Sequence, residues 1–171
     1  LINKKIKIFS NVSMDYSKSF LQKKNELKKT NNSNRKIIFR IFDKIYKSKL
    51  TNWKIDKISG YEWSTSIFSD SIKIQIDKKI DVKVPWELAR LQHLSNLSIN
   101  SYANKLDDFS FIKNQVLDFI SSNPPYWGVN WFNAMEVSIR GSNLCIIADI
   151  LKQNKSINEE EFLIILNSIN D

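Results

Sequence analysis

From Pro85 onward the apolar residues recur at helical spacing, and only short stop signals separate one run from the next. A chain written this way has few options beyond helices folded back on one another. Pro85 suits a first helical position, where its missing N–H costs nothing. Glu87 falls in the first turn, at the positive end of the helix dipole. The pattern predicts one helix from Pro85 to about Asn104. Asp107 and Asp108 are candidate caps for a second, whose apolar set is Phe109, Ile112, Val116 and Phe119. Asn123-Pro124-Pro125 ends it, because the residue before a proline is pushed out of the α region. Asn130 is the candidate cap of a third helix reaching about Gln153, and Ser156-Ile157-Asn158-Glu159 reads as a capping box. That box opens a fourth helix through Phe162, Ile165, Leu166 and Ile169. Four helices with short connections predict an antiparallel helical array.

Upstream the pattern differs. Between Ser71 and Val84, Ile72, Ile74 and Ile76 alternate with Ser71, Lys73, Gln75 and Asp77, as in a half-buried strand or an extended arm. Three Gly and three Pro are too few for the many tight turns of an all-β fold. The expected fold class is therefore mainly all-α, with a short extended or β arm before residue 85. Residues 35–49 place Ile38, Ile41, Phe42 and Ile45 on one helical face and Lys36, Arg40, Lys44 and Lys47 on the other. Such a helix lies on a membrane surface or, more commonly, docks on a protein core with its lysines outward. Residues 1–34 are polar and rich in Lys and Asn, as in a linker or a loosely packed segment. The expected division is a basic N-terminal segment over 1–59 and a helical domain over 60–171.

Composition removes several function classes. With 42% hydrophobic and 12% aromatic residues the chain can build a core and is not disordered throughout. No stretch approaches the roughly 18 consecutive apolar residues of a membrane span. A single Cys excludes a disulfide framework, and a single His excludes a His-rich metal centre, so neither metal nor cofactor is expected. The net charge of +8 is uneven: residues 1–79 hold 19 basic against 7 acidic side chains, and residues 80–171 hold 7 against 11. A basic front half attracts polyanions, although a solvated lysine surface has the same composition.

Two segments stand out from generic core. In the first, positions 86, 90, 93, 97, 100 and 104 share a face of a continuous helix, which puts Trp86, Arg90, His93, Leu97, Asn100 and Asn104 in one stripe. An indole beside a guanidinium suits stacking on a sugar ring and hydrogen bonding to its hydroxyls or carboxylate. The bland alternative has Trp86 in the core, Arg90 paired with Glu87 and His93 as a satisfied imidazole. The second segment is the aromatic loop of Tyr126, Trp127 and Gly128, leading to Asn130 and Trp131 and a helix carrying Asn133, Glu136, Arg140 and Asn143 in one stripe. Glu136 and Arg140 are spaced to pair at i,i+4, either in a polar cleft or as a helix-to-helix clamp.

These two segments resemble the N-terminal helical domain of the heparinase II/III-like polysaccharide lyases. The residues that carry the likeness run from Val82-Lys83-Val84-Pro85-Trp86-Glu87-Leu88-Ala89-Arg90 to Leu94, and from Asn123-Pro124-Pro125 through Gly128-Val129-Asn130-Trp131, Ala134-Met135-Glu136 and Ile139-Arg140. Gly60-Tyr61-Glu62-Trp63 fits more loosely, so the likeness covers roughly 60–153. It implies a partial (α/α) toroid of helical hairpins, followed in full-length relatives by a β-sandwich. It also implies β-elimination on a uronic-acid-containing polysaccharide, with no metal in the core chemistry. That reaction neutralises the C5 carboxylate, removes the C5 proton and protonates the departing O4. The family's Asn-His segment, Tyr and second His have no counterpart among the matched residues, so no catalytic residue is assigned. Trp86, Arg90, His93, Asn130, Trp131, Glu136 and Arg140 match motif positions that line the sugar groove or hold its helices.

The expected function is the toroid portion of a carbon–oxygen lyase, inactive by itself, with an acidic polysaccharide as partner. One alternative is a non-catalytic carbohydrate-binding or scaffold domain of the same fold. Another is a basic nucleic-acid-binding module over residues 1–57, disfavoured because the lysines are not interleaved with stacking aromatics. The resemblance implies a periplasmic or extracellular location; no signal-peptide pattern is visible in the sequence.

Overall fold

The structure, a computed structural model, describes residues 51–171. The amphipathic helix expected over 35–49 lies outside the described residues. Within them the protein is mainly helical: α1 (Lys83–Ala89), α2 (Gln92–Asn104), α3 (Phe109–Ser122), α4 (Ala134–Gln153) and α5 (Glu159–Asn170). Short 3₁₀ turns cover Ser69–Ser71 and Val129–Trp131. No strand forms among the described residues, where the β pairing consists of isolated bridges, Ile55 with Glu62 and Phe68 with Trp127. The alternating segment is thus an extended arm. It buries Ile72 and half-buries Ile74 and Ile76, as the period-2 pattern requires, but has no neighbouring strand to complete a ladder.

Contacts at both ends of the helices set their directions. Asn143 of α4 donates to the Arg90 carbonyl before α2, and Tyr102 near the end of α2 donates to Gln153 at the end of α4, so these two run parallel. Lys113 meets Glu161 near the starts of α3 and α5, and the Tyr126 hydroxyl donates to the Asp171 carbonyl beyond their ends. The chain therefore alternates in direction along α2, α3, α4 and α5. Tight links close α2 to α3 and α4 to α5. The main core gathers Trp53, Leu88, Leu91, Leu94, Ile112, Val116, Phe119, Leu144, Ile147, Leu151, Ile164 and Ile165. Trp53, 2% exposed, packs edge-on against Phe119 and donates its indole N–H to Asp118 Oδ2 at 2.9 Å. A second apolar cluster joins the arm to α1 through Trp63, Ile72, Trp86 and Val129.

Three expected boundaries move. The helix predicted over 85–104 breaks at Leu91, which is fully buried with φ +57°. The break frees the Arg90 carbonyl, and Asn143 Nδ2 caps it at 2.9 Å. Asn133, rather than Asn130, caps α4 by accepting from the Met135 N–H. The capping box on α5 is Asn158 with Glu161, two residues after the expected one, because the Ser156 N–H is still closing α4 on the Leu151 carbonyl. On α5, Ile164 and Ile165 face the core and Leu166 is exposed. The caps of α3 differ too: Asp108 occupies the N-cap without a capping bond, and its carboxylate accepts from Ser101 Oγ instead.

Candidate functional site

The loop between α3 and α4 folds back on α1, and this return brings the two motif segments together. Gly128 makes the approach possible. Its φ of +79° is a left-handed conformation, its N–H donates to the Ile67 carbonyl, and a Cβ there would sit 3.4 Å from the Thr65 Cα. The next residue, Val129, presents its carbonyl to the Trp86 indole N–H at 2.8 Å. Trp86 is buried, with the Phe132 ring stacked 6.2 Å away at 19°.

One helical turn beyond Trp86, Arg90 grips Glu136 at the start of α4. Nε donates to Oε2 at 2.6 Å and Nη2 to Oε1 at 2.8 Å, the two-pronged geometry that guanidinium and carboxylate favour. Glu136 is 2% exposed. Its hydrogen bonds hold the Arg90 guanidinium above its ordinary pKa. Glu87, expected as the Arg90 partner, is 3.8 Å from Nη1 and largely exposed, so it is the minor contact. The expected i,i+4 pair of Glu136 with Arg140 does not form among the described residues. Glu136 spends both oxygens on Arg90, and Arg140 turns back to donate Nη2 to the Asn130 carbonyl at 3.1 Å.

Arg140 is 3% exposed, with Phe119 and Trp131 rings 5.0 and 4.9 Å from its guanidinium carbon. Burial pulls its pKa down to about 10, against the attraction of Glu136. The flanking rings replace part of the lost hydration through cation–π contact. Beside it, Asn130 Nδ2 donates to the Trp53 carbonyl at 2.9 Å and to Asn123 Oδ1 at 2.8 Å. Trp131 Nε1 donates to the Asn123 carbonyl at 3.1 Å. Asn130 Oδ1 and Arg140 Nη1 are buried without a hydrogen-bond partner among the described residues.

Six of the seven candidate residues thus converge: Trp86, Arg90, Asn130, Trp131, Glu136 and Arg140. His93 stands apart. It is half-buried on α2 and makes no hydrogen bond or ion pair among the described residues. Burial, helped by the nearby Lys57 charge, lowers its pKa to about 4, so the ring is neutral at pH 7. The helix break at Leu91 also divides the predicted stripe. Trp86 and Arg90 belong to the cluster, whereas Asn100 and Asn104 lie exposed on α2.

Sequence reasoning missed Trp53, Asn123 and Asp118 as members of this network. Asp118 accepts from the Thr51 N–H and the Trp53 indole, and Ser121 and Ser122 both donate to its carbonyl. A lone tryptophan in a polar stretch and an asparagine just before two prolines were the available signals. The cluster's strength is geometric. It fixes α1, the α3–α4 loop and α4 against one another with directional bonds, and its carboxylate is fully engaged. Among the described residues no three His, Cys, Asp or Glu side chains cluster as metal ligands would, and no helix is long and apolar enough to cross a membrane. No family model, curated protein or solved structure matches this chain.

Proposed function

We propose that this chain is the helical part of a polysaccharide lyase of the heparinase II/III-like kind, acting with the rest of its enzyme on a uronic-acid-containing polymer. The observation that carries the reading is the meeting of the two motif segments. They lie more than 40 residues apart in sequence and converge on the Arg90–Glu136 pair, with Trp86 bonded to Val129 alongside. Helices of alternating direction, joined in hairpins, are also the units from which an (α/α) toroid is assembled. On this reading the cluster holds the hairpins in register, and the polymer runs over surfaces that the cluster positions.

Proton transfer is assigned to no residue of this chain. Glu136 is bound on both oxygens, and His93 is neutral and without a hydrogen-bond partner among the described residues. The full engagement of the cluster equally favours a second reading, a non-catalytic carbohydrate-binding or scaffold domain of the same fold. Incubation of the chain with hyaluronan, heparin, alginate and polygalacturonate tests the glycan recognition that both readings require. Affinity electrophoresis should show retardation by at least one uronate polymer, with no rise in unsaturated-uronate absorbance. Release of unsaturated ends by the chain itself would contradict the absence of catalytic residues from it. Unchanged mobility in every polymer would remove the glycan reading altogether.

A further inference from the structure

A second candidate site lies away from the cluster, where α2 ends and α4 turns into α5. Tyr102, Lys105, Leu106, Asp107 and Asn154 line an open pocket of about 520 Å³ there. That volume accommodates a sugar ring or two, within the range of ordinary ligand pockets. We infer that this pocket binds an uncharged pyranose unit of a glycan.

Four features carry the inference. Tyr102 is 48% exposed, and a hydrogen bond anchors the tip of its ring. The hydroxyl donates to Gln153 Oε1 at 3.1 Å, and Gln153 Nε2 donates in turn to Asp149 Oδ2 at 2.7 Å. A pre-oriented aromatic face offers apolar area to the C–H face of a pyranose with little ordering cost. Lys105 adopts the left-handed conformation at φ +53° to close α2, a position that glycine or asparagine fills more easily. Neither its ammonium nor the Asp107 carboxylate has an ion pair or hydrogen bond among the described residues. One donor group and one acceptor group therefore stand ready for sugar hydroxyls, joined by the Asn154 amide, whose Nδ2 donates to Ser156 Oγ at 2.6 Å.

The charge balance selects the sugar. Lys105 and Asp107 cancel, and the partial negative charge at the C-terminal ends of α2 and α4 is offset by the N-terminus of α3, whose first residue Phe109 lines the pocket. The pocket therefore has no excess of positive charge to prefer a uronate carboxylate. A neutral hexose or N-acetylhexosamine fits its chemistry. This goes beyond the uronate reading, since nothing at this pocket requires an acidic polymer.

The test is a titration of the whole chain with neutral hexose and N-acetylhexosamine oligosaccharides, followed by amide chemical shifts. Shifts should concentrate at residues 101–107 and around Asn154. Tyr102→Ala should weaken binding by about tenfold, while Tyr102→Phe, which keeps the ring, should stay within about threefold. Asp107→Asn should also weaken it, and melting temperatures of these exposed-site variants should match the parent. Neutral-sugar binding that Tyr102→Ala leaves intact would overturn the assignment. So would retardation by uronate polymers with no response to any neutral oligosaccharide, an outcome that leaves the uronate reading standing. Binding of neutral sugars at Tyr102 without any uronate binding would uphold this pocket and refute that reading instead.

Discussion

Replacing Glu136 with Ala removes the carboxylate on which the two motif segments meet. Both of its oxygens are bonded, at 2.6 and 2.8 Å, and its side chain is 3% exposed. Breaking a buried ion pair by deleting one partner costs about 3–5 kcal/mol, because the other charge stays behind unpaired. The Arg90 side chain is 26% exposed, so water recovers part of that loss and the lower end of the range applies. The deletion also withdraws a charge attraction that opposes the burial of Arg140. The expected cost is about 3 kcal/mol, a large share of the roughly 5–15 kcal/mol that holds a domain together. Glu136→Gln keeps the shape and one acceptor and should cost about 2 kcal/mol. Urea denaturation of Glu136→Ala, Arg90→Met and the double variant gives the coupling directly. A coupling of about 1.5–3 kcal/mol is expected. A cost for Glu136→Ala below about 1 kcal/mol, or a coupling near zero, would mean the pair behaves as a surface ion pair and the clamp is not what joins α1 to α4.

Three further perturbations probe neighbouring features. Trp131→Ala strips one face from the Arg140 guanidinium and the indole bond to Asn123, and thermal melts should report a loss of about 2–4 kcal/mol; a negligible shift would show the ring to be an open groove wall. Gly128→Ala forces a side chain into a left-handed backbone against Thr65, and denaturation should show a loss of about 1–2 kcal/mol, whereas an unchanged midpoint would refute the close approach. His93 has a folded pKa of about 4 against an ordinary 6.5, so the unfolded chain binds the extra proton. Its contribution is complete above pH 6.5 and is lost as the pH falls from there toward 4, by about 1–3 kcal/mol. His93→Leu should flatten the stability profile across that window, and an unaltered slope would contradict the burial of the imidazole.

Legibility in the sequence followed the range of the forces involved. The stop at Asn123-Pro124-Pro125 and the end of α4 at Gln153 appear where expected, because proline geometry and local periodicity act within a few residues. The apolar set of α3 is buried for the same reason. The break at Leu91 was not legible. Its tertiary partner is Asn143, 53 residues from Arg90, which caps the carbonyl that the break leaves free. Local spacing offered Glu87 to Arg90 and Arg140 to Glu136, yet the tertiary fold placed Glu136 against Arg90 with better geometry and deeper burial. Asn130 has the side chain of a helix cap, but a buried bridge from Trp53 to Asn123 uses its amide first. The alternating isoleucines gave the correct inward face of the arm, while strand formation needed a partner that periodicity cannot supply.

The most direct measurement is an equilibrium titration of the 171-residue chain with defined uronate oligosaccharides at physiological salt, with polyphosphate and duplex DNA as competitors. A chain of net charge +8 attracts any polyanion at low ionic strength, so the salt level and the competitors decide the outcome. Saturable binding to a uronate oligosaccharide that excess polyphosphate and DNA fail to displace is the predicted result. Binding that polyphosphate or DNA abolishes equally, or that disappears at physiological salt, would contradict recognition of a uronate polymer.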